Sequence, residues 1–85
     1  MTEEKIGEVV KFFGKPGVVA IKVTSGELTV GNRIHIKGHT TDFEDLIESM
    51  QVDNQPVERA GPGHLVGIKV KERAREGDAV YRLTE

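Results

Sequence analysis

Histidines and carboxylates close together in the chain raise the first question of chemistry. His35, His39 and Asp42 could converge near one loop and hold a divalent cation. A zinc site, however, takes three or four ligands with supporting hydrogen bonds. His35 falls on the outward side of an alternating stretch, His39 in a turn and His64 at the start of a strand, so all three read as surface residues with no metal. Ser25 and Ser49 are potential nucleophiles only if a base lies within hydrogen-bond reach, and neither stands in an elbow motif or beside a convincing histidine. Asp42, Glu44, Asp45 and Glu48 are dense enough for an acid/base pair, but they read more simply as a solvated acidic edge. The chain has no GxxxxGKS or GxxxxGKT run, so it lacks the backbone cradle and lysine that hold nucleotide phosphates. These absences point to a protein that binds and does not catalyse, with no cofactor and no nucleotide.

The basic residues carry the one binding pattern. If Ile68 and Val70 face a core, Lys69 and Lys71 face water, and Arg73 and Arg75 continue the alternation into a turn. Arg33, His35 and Lys37 form a second outward row around Ile34 and Ile36. Side by side, the rows would suit a phosphate backbone, each contact adding to a salt-dependent affinity. The candidate nucleic-acid-binding residues are therefore Arg33, Lys37, Lys69, Lys71 and Arg73. The plainer reading is that cations on exposed strand faces discourage edge pairing. Phe12, Phe13, Phe43 and Tyr81 are the only aromatic side chains, too few to stack a series of bases.

The elements that must position these residues are strands. Segments rich in valine and isoleucine alternate with glycine-bearing breaks, the pattern of an all-β meander or Greek key. Six strands are predicted, over about 5–13, 18–25, 33–38, 46–53, 64–71 and 79–83. Gly31-Asn32 marks a tight turn, since both residue types tolerate positive φ, and Lys15-Pro16-Gly17 marks another. Leu28, Gly31, Asn32 and Ile34 are echoed in spacing by Ala74, Gly77, Asp78 and Val80. One stretch, 41–50, is ambiguous. Phe43, Leu46, Ile47 and Met50 make an i, i+3, i+4, i+7 stripe, and Thr41 with Glu44 has capping-box spacing, both helical signs. As a strand it would turn Leu46, Met50 and Val52 inward, with Glu48 among them unless a bulge shifts the register. Leu28, Ile34, Ile36, Ile68 and Val80 are the expected core.

Composition bounds the rest. Eighty-five residues with 36% hydrophobic and 31% charged side chains make one soluble domain, 1–85, with stability on the order of 5–10 kcal/mol. A net charge of −2 exerts no global pull on nucleic acid. There is no cysteine, the first residues are acidic, and the longest apolar run is Val18 to Ile21. The expected setting is cytoplasmic, without a membrane.

Gly26, Leu28, Gly31-Asn32, Ile34, Ile36, Ser49-Met50, Val57, Ala60-Gly61, Gly67 and Gly77-Asp78 occur in an order that resembles the second domain of the translational GTPases, the β-barrel of elongation factor Tu. The chain is also similar to the stand-alone elongation-factor-like proteins of prokaryotes, and to the C-terminal barrel of collagenase-like peptidase-family proteins, in the HTTDF and SMQV stretches. Asn32 replaces the usual aspartate, and Ala60 to Gly67 lengthens a loop. The resemblance implies a closed, six-stranded antiparallel Greek-key barrel and resolves 41–50 in favour of a strand. It also implies translation-related binding to structured RNA, with transfer RNA or the ribosome as partner. The alternative is an accessory docking module for a larger enzyme, engaging it through an exposed strand edge or the GPGH loop at Gly61–His64.

Overall fold

Alternation of buried and exposed side chains governs nearly every extended segment. The structure, a computed structural model, describes residues 2–84. The strands are β1 (Thr2–Phe13), β2 (Val18–Val23), β3 (Leu28–Thr29), β4 (Arg33–Lys37), β5 (Asp42–Leu46), β6 (Met50–Val52), β7 (Gln55–Val57), β8 (Arg59–Ala60), β9 (Leu65–Lys69) and β10 (Ala79–Thr84). Eight form an antiparallel sheet ordered β5-β4-β10-β1-β2-β9-β6-β7, while β3 and β8 pair as a separate ribbon. The all-β expectation holds, and five of the six predicted strands appear with small shifts of boundary.

The predicted closed six-stranded barrel does not. The segment expected as one strand over 46–53 is two, broken at 47–49, with β5 on β4 and β6 on β9. No ladder joins β5 to β6 or β7, so these ends of the sheet remain edges. Past Leu46 the contact between β5 and the start of β4 continues through the turn at Gly31-Asn32. The Ile47 N–H donates to the Asn32 carbonyl (2.9 Å), and the Gly31 N–H donates to the Ile47 carbonyl (2.8 Å). The break expected over 53–63 contains β7 and β8. The β6–β7 hairpin turns on Asp53 (φ 53°) and Asn54 (φ 62°), the paired left-handed conformation that a two-residue reversal between twisted strands requires.

Over 41–50 the period is two. Thr41, Phe43, Asp45 and Ile47 are buried, and Asp42, Glu44, Leu46 and Glu48 are exposed. The expected inward Leu46 is 40% exposed, whereas Met50 is buried as expected and Glu48 faces water. Strand β1 runs along both β10 and β2 because register shifts between Lys5 and Gly7 and between Val9 and Lys11 bend it, as β-bulges do. Gly7 sits at that bend, where a Cβ would run into the Lys22 carbonyl. Leu28, Ile34, Ile36, Ile68 and Val80 are all buried in one core with Ile6, Ile21 and Val66.

The internal echo has a structural basis. Gly31 (φ 100°) and Gly77 (φ 89°) both precede a residue whose side-chain oxygen accepts the N–H three positions back. Asn32 Oδ1 accepts from Thr29 at 2.9 Å, and Asp78 Oδ2 accepts from Arg75 at 2.9 Å. Each turn therefore closes on itself before a strand begins.

Candidate functional site

The candidate basic residues fall on two different elements. Arg33 and Lys37 are exposed at the two ends of β4, Lys69 is exposed at the end of β9, and Lys71 and Arg73 are exposed in the segment that follows. Strands β10, β1 and β2 lie between β4 and β9. Round the other side, the Lys71 N–H reaches Asp45 of β5, the strand paired with β4. The two rows are not on hydrogen-bonded neighbours; Lys69, Lys71 and Arg73 form one group, and Arg33 and Lys37 another. Lys37 lies opposite Asp42 in the β4–β5 register.

Between Arg33 and Lys37, His35 is not an ordinary surface histidine. Its Nδ1 lies 2.5 Å from Glu3 Oε2 of β1, and its Nε2 contacts Asp42 Oδ1 of β5. The β4 register also sets it beside Tyr81 and Glu44, and the Tyr81 ring centroid is 6.2 Å from its own. Two carboxylates on two ring nitrogens call for two N–H donors, which is the imidazolium form. The hydrogen bond to Asp42, then that to Glu3, holds the His35 pKa above its ordinary 6.5. The same contact to His35 holds Asp42 below its ordinary 3.8. The carboxylates meet opposite edges of the ring, so the three side chains do not converge on one point. His39 is exposed in its turn, and His64 Nδ1 lies 3.1 Å from the Gly61 carbonyl. Among the described residues no group of three or more histidines and carboxylates is arranged to hold a metal ion.

The acidic edge needs one correction. Asp42, Glu44 and Glu48 are solvated, but Asp45 is buried. Its Oδ1 accepts the Leu46 N–H and its Oδ2 accepts the Lys71 N–H, both at 2.8 Å. This carboxylate ties edge strand β5 to the segment after β9, two parts of the sheet that share no ladder. Alternation from Phe43 to Ile47 was the signal in the sequence that could have placed it inward.

The elements expected to dock a protein are both present at the surface. The GPGH loop is fastened to the end of β2 by the Gly63 N–H to the Val23 carbonyl (2.8 Å) and the Val23 N–H to the His64 carbonyl (3.0 Å). Sequence reasoning missed the outer face of β2 and β9. There Phe13 and Leu65, 43% and 53% exposed, stand around a groove of about 280 Å³ floored by Val18, Ala20 and Gly67.

Solved structures share this architecture. The chain superposes on the C-terminal domain of a candidate U32 peptidase of Geobacillus thermoleovorans with a TM-score of 0.87 and 18% identity, over 95% of this chain and 93% of that one. A selenomethionine variant of the same domain gives 0.84 and 19%, over 91% and 96%. The fold is that of a U32 peptidase C-terminal domain. Among curated proteins, the chain is 42% identical over 82 residues to an uncharacterised protease of Methanocaldococcus jannaschii, covering 95% of this chain and 20% of that protein. It is 37% identical over 79 residues to a collagenase of Porphyromonas gingivalis, covering 92% and 22%. The chain thus spans about a fifth of the curated relatives it matches. No protein-family model matches the sequence. These relatives support the expected likeness to collagenase-like peptidase proteins; they lend no support to the elongation factor Tu kinship or to the translation role drawn from it.

Proposed function

We propose that this chain is a non-catalytic accessory domain that docks onto a larger, U32-type peptidase chain. The observation that carries the proposal is one of proportion. Nearly all of this chain aligns with about a fifth of two proteolytic relatives, and its fold matches a piece already designated a C-terminal domain. The side chains fit a supporting role. His35 has both ring nitrogens committed to carboxylates and has no free lone pair to act as a base. The Ser25 hydroxyl donates to the Lys5 carbonyl (3.0 Å) and is not poised for attack. The absence of cysteine fits a reducing, cytoplasmic setting.

The test is affinity purification of the tagged chain from its source cells, with and without nuclease treatment, followed by identification of the retained chains. A U32-type peptidase retained after nuclease treatment supports the proposal. Association lost on RNA digestion would reject it in favour of RNA binding through Lys69, Lys71 and Arg73.

A further inference from the structure

Gly67 occupies the middle of β9, between buried Val66 and Ile68, and faces outward opposite Ala20 of β2 and Gln51 of β6. Its φ is not in the positive range. A Cβ built there would come no nearer than 3.6 Å to Val18 Cγ1 and 3.9 Å to the Gln51 carbonyl, ordinary van der Waals separations. Neither the backbone nor the neighbours demand glycine, and glycine weakens a strand. Glycine inside a strand marks a bulge, a tight bend or a close approach by a ligand or another chain, and the β2–β9 register runs through Gly67 without a shift.

The surroundings agree. Gly67 lies where two depressions meet, sharing Val18 and Gln51 as well. The first, of about 280 Å³, opens between Phe13 and Leu65, and the second, of about 150 Å³, continues past Ser49 to Lys69. The first lies just below the usual range of small-molecule pockets, roughly 300–1,000 Å³, a scale suited to one or two side chains. Three lysines ring the apolar floor, since the register sets Lys11 beside Ala20, Lys22 beside Leu65 and Lys69 beside Val18. Among the described residues Asp53 is the one carboxylate lining either depression; Glu8 stands directly opposite Lys22 in the β1–β2 register and lies 3.6 Å from Lys5 Nζ. On a chain of net charge −2 this is a local surplus of cations around an apolar groove.

We infer that the groove over Gly67 receives an extended segment of the partner chain that inserts a large apolar side chain flanked by carboxylates. The inference rests on the accessory-domain reading only for which chain carries that segment. The missing Cβ admits the apolar side chain close to the sheet, the rings and branches of Phe13 and Leu65 enclose it, and the ammonium groups meet the flanking carboxylates.

The experiment uses a short blocked peptide with leucine between glutamates as probe, and the same peptide with lysine replacing glutamate as control, each titrated into the isotope-labelled full chain. The expected result is amide shifts concentrated at Val18, Ala20, Leu65 and Gly67, with the lysine peptide binding at least about tenfold more weakly. Gly67→Val should weaken binding of the glutamate peptide about tenfold without lowering the unfolding midpoint, because valine favours strands. Leu65→Ser, a change at an exposed position, should weaken it similarly and serves if Gly67→Val misfolds. Shifts elsewhere, no shift at millimolar peptide, equal binding of both peptides, or dimerisation of the chain that Gly67→Val abolishes would each overturn the inference. A peptidase complex that survives both substitutions removes the groove proposal and leaves the accessory role standing. Peptide binding with no retained peptidase does the reverse.

Discussion

Replacing Asp45 by alanine tests how edge strand β5 is held against the segment after β9 without a ladder. In the native fold the carboxylate is buried and accepts two backbone N–H groups, one from Leu46 and one from Lys71. A hydrogen bond to a charged acceptor contributes about 1.5–3 kcal/mol, and a buried N–H left unpaired costs about 1–3 kcal/mol. The Leu46 contact is local and partly recoverable with water, whereas the Lys71 contact spans 26 residues, so Asp45→Ala should cost about 2–4 kcal/mol. Against a total on the order of 5–10 kcal/mol that is about a fifth of the stability or more, and it lowers Tm by roughly 8–30 °C. Asp45→Asn keeps one acceptor oxygen and should cost about half as much. The assay is urea unfolding of both variants, together with amide hydrogen exchange at Lys71, which should lose its protection in the alanine variant. A cost under about 0.5 kcal/mol, or unchanged exchange at Lys71, would show that packing alone holds β5 against the segment after β9.

Leu28→Ala, at a fully buried position in the β3–β8 ribbon, should cost about 2–4 kcal/mol in the same urea titration, and a silent result would refute the inward register of β3. Gly7→Ala should be destabilising by thermal unfolding, because its Cβ meets the Lys22 carbonyl; an unchanged Tm would show that β1 relaxes freely at its bulge. The His35 pair predicts a pH dependence of defined sign. The raised His35 pKa contributes stability that is complete below 6.5 and lost as pH rises through the folded value. The lowered Asp42 pKa contributes stability that is complete above 3.8 and lost as pH falls through the folded value. The contribution of the pair is therefore greatest between these limits, and stability should decline above pH 6.5 in the native chain and less in His35→Gln. An imidazole titrating at or below 6.5 by magnetic resonance would contradict the observed contacts. Lys71→Ala should leave stability nearly unchanged, since the Asp45 bond uses the Lys71 backbone; a large loss in urea would assign the side chain a structural role.

The all-β class, most strand positions and the five expected core residues were legible in the sequence because they depend on the period of two and on glycine turns, which are local properties. The echo of Gly31-Asn32 in Gly77-Asp78 was legible for the same reason, since each turn closes on the residue three positions before it. The candidate site was less so. Arg33 and Lys37 could be assigned to an outer face, but not placed relative to Lys69, because strand order is a choice among distant partners that alternation does not encode.

Over 41–50 the helical stripe and the strand pattern share Phe43 and Ile47, and pairing with β4 decides between them. Asp45 becomes a structural acceptor only when Lys71 arrives, and His35 gains its second carboxylate only when β1 brings Glu3 across the sheet. Gly67 carries meaning only beside Val18 and Gln51, where the space its missing Cβ leaves belongs to a groove. The sequence by itself determined the inward face where one period was clear, as at Ile34, Ile36, Ile68 and Val80; the tertiary structure decided the inward face over 41–50 and which inward residues meet, because both depend on register between segments apart in the chain.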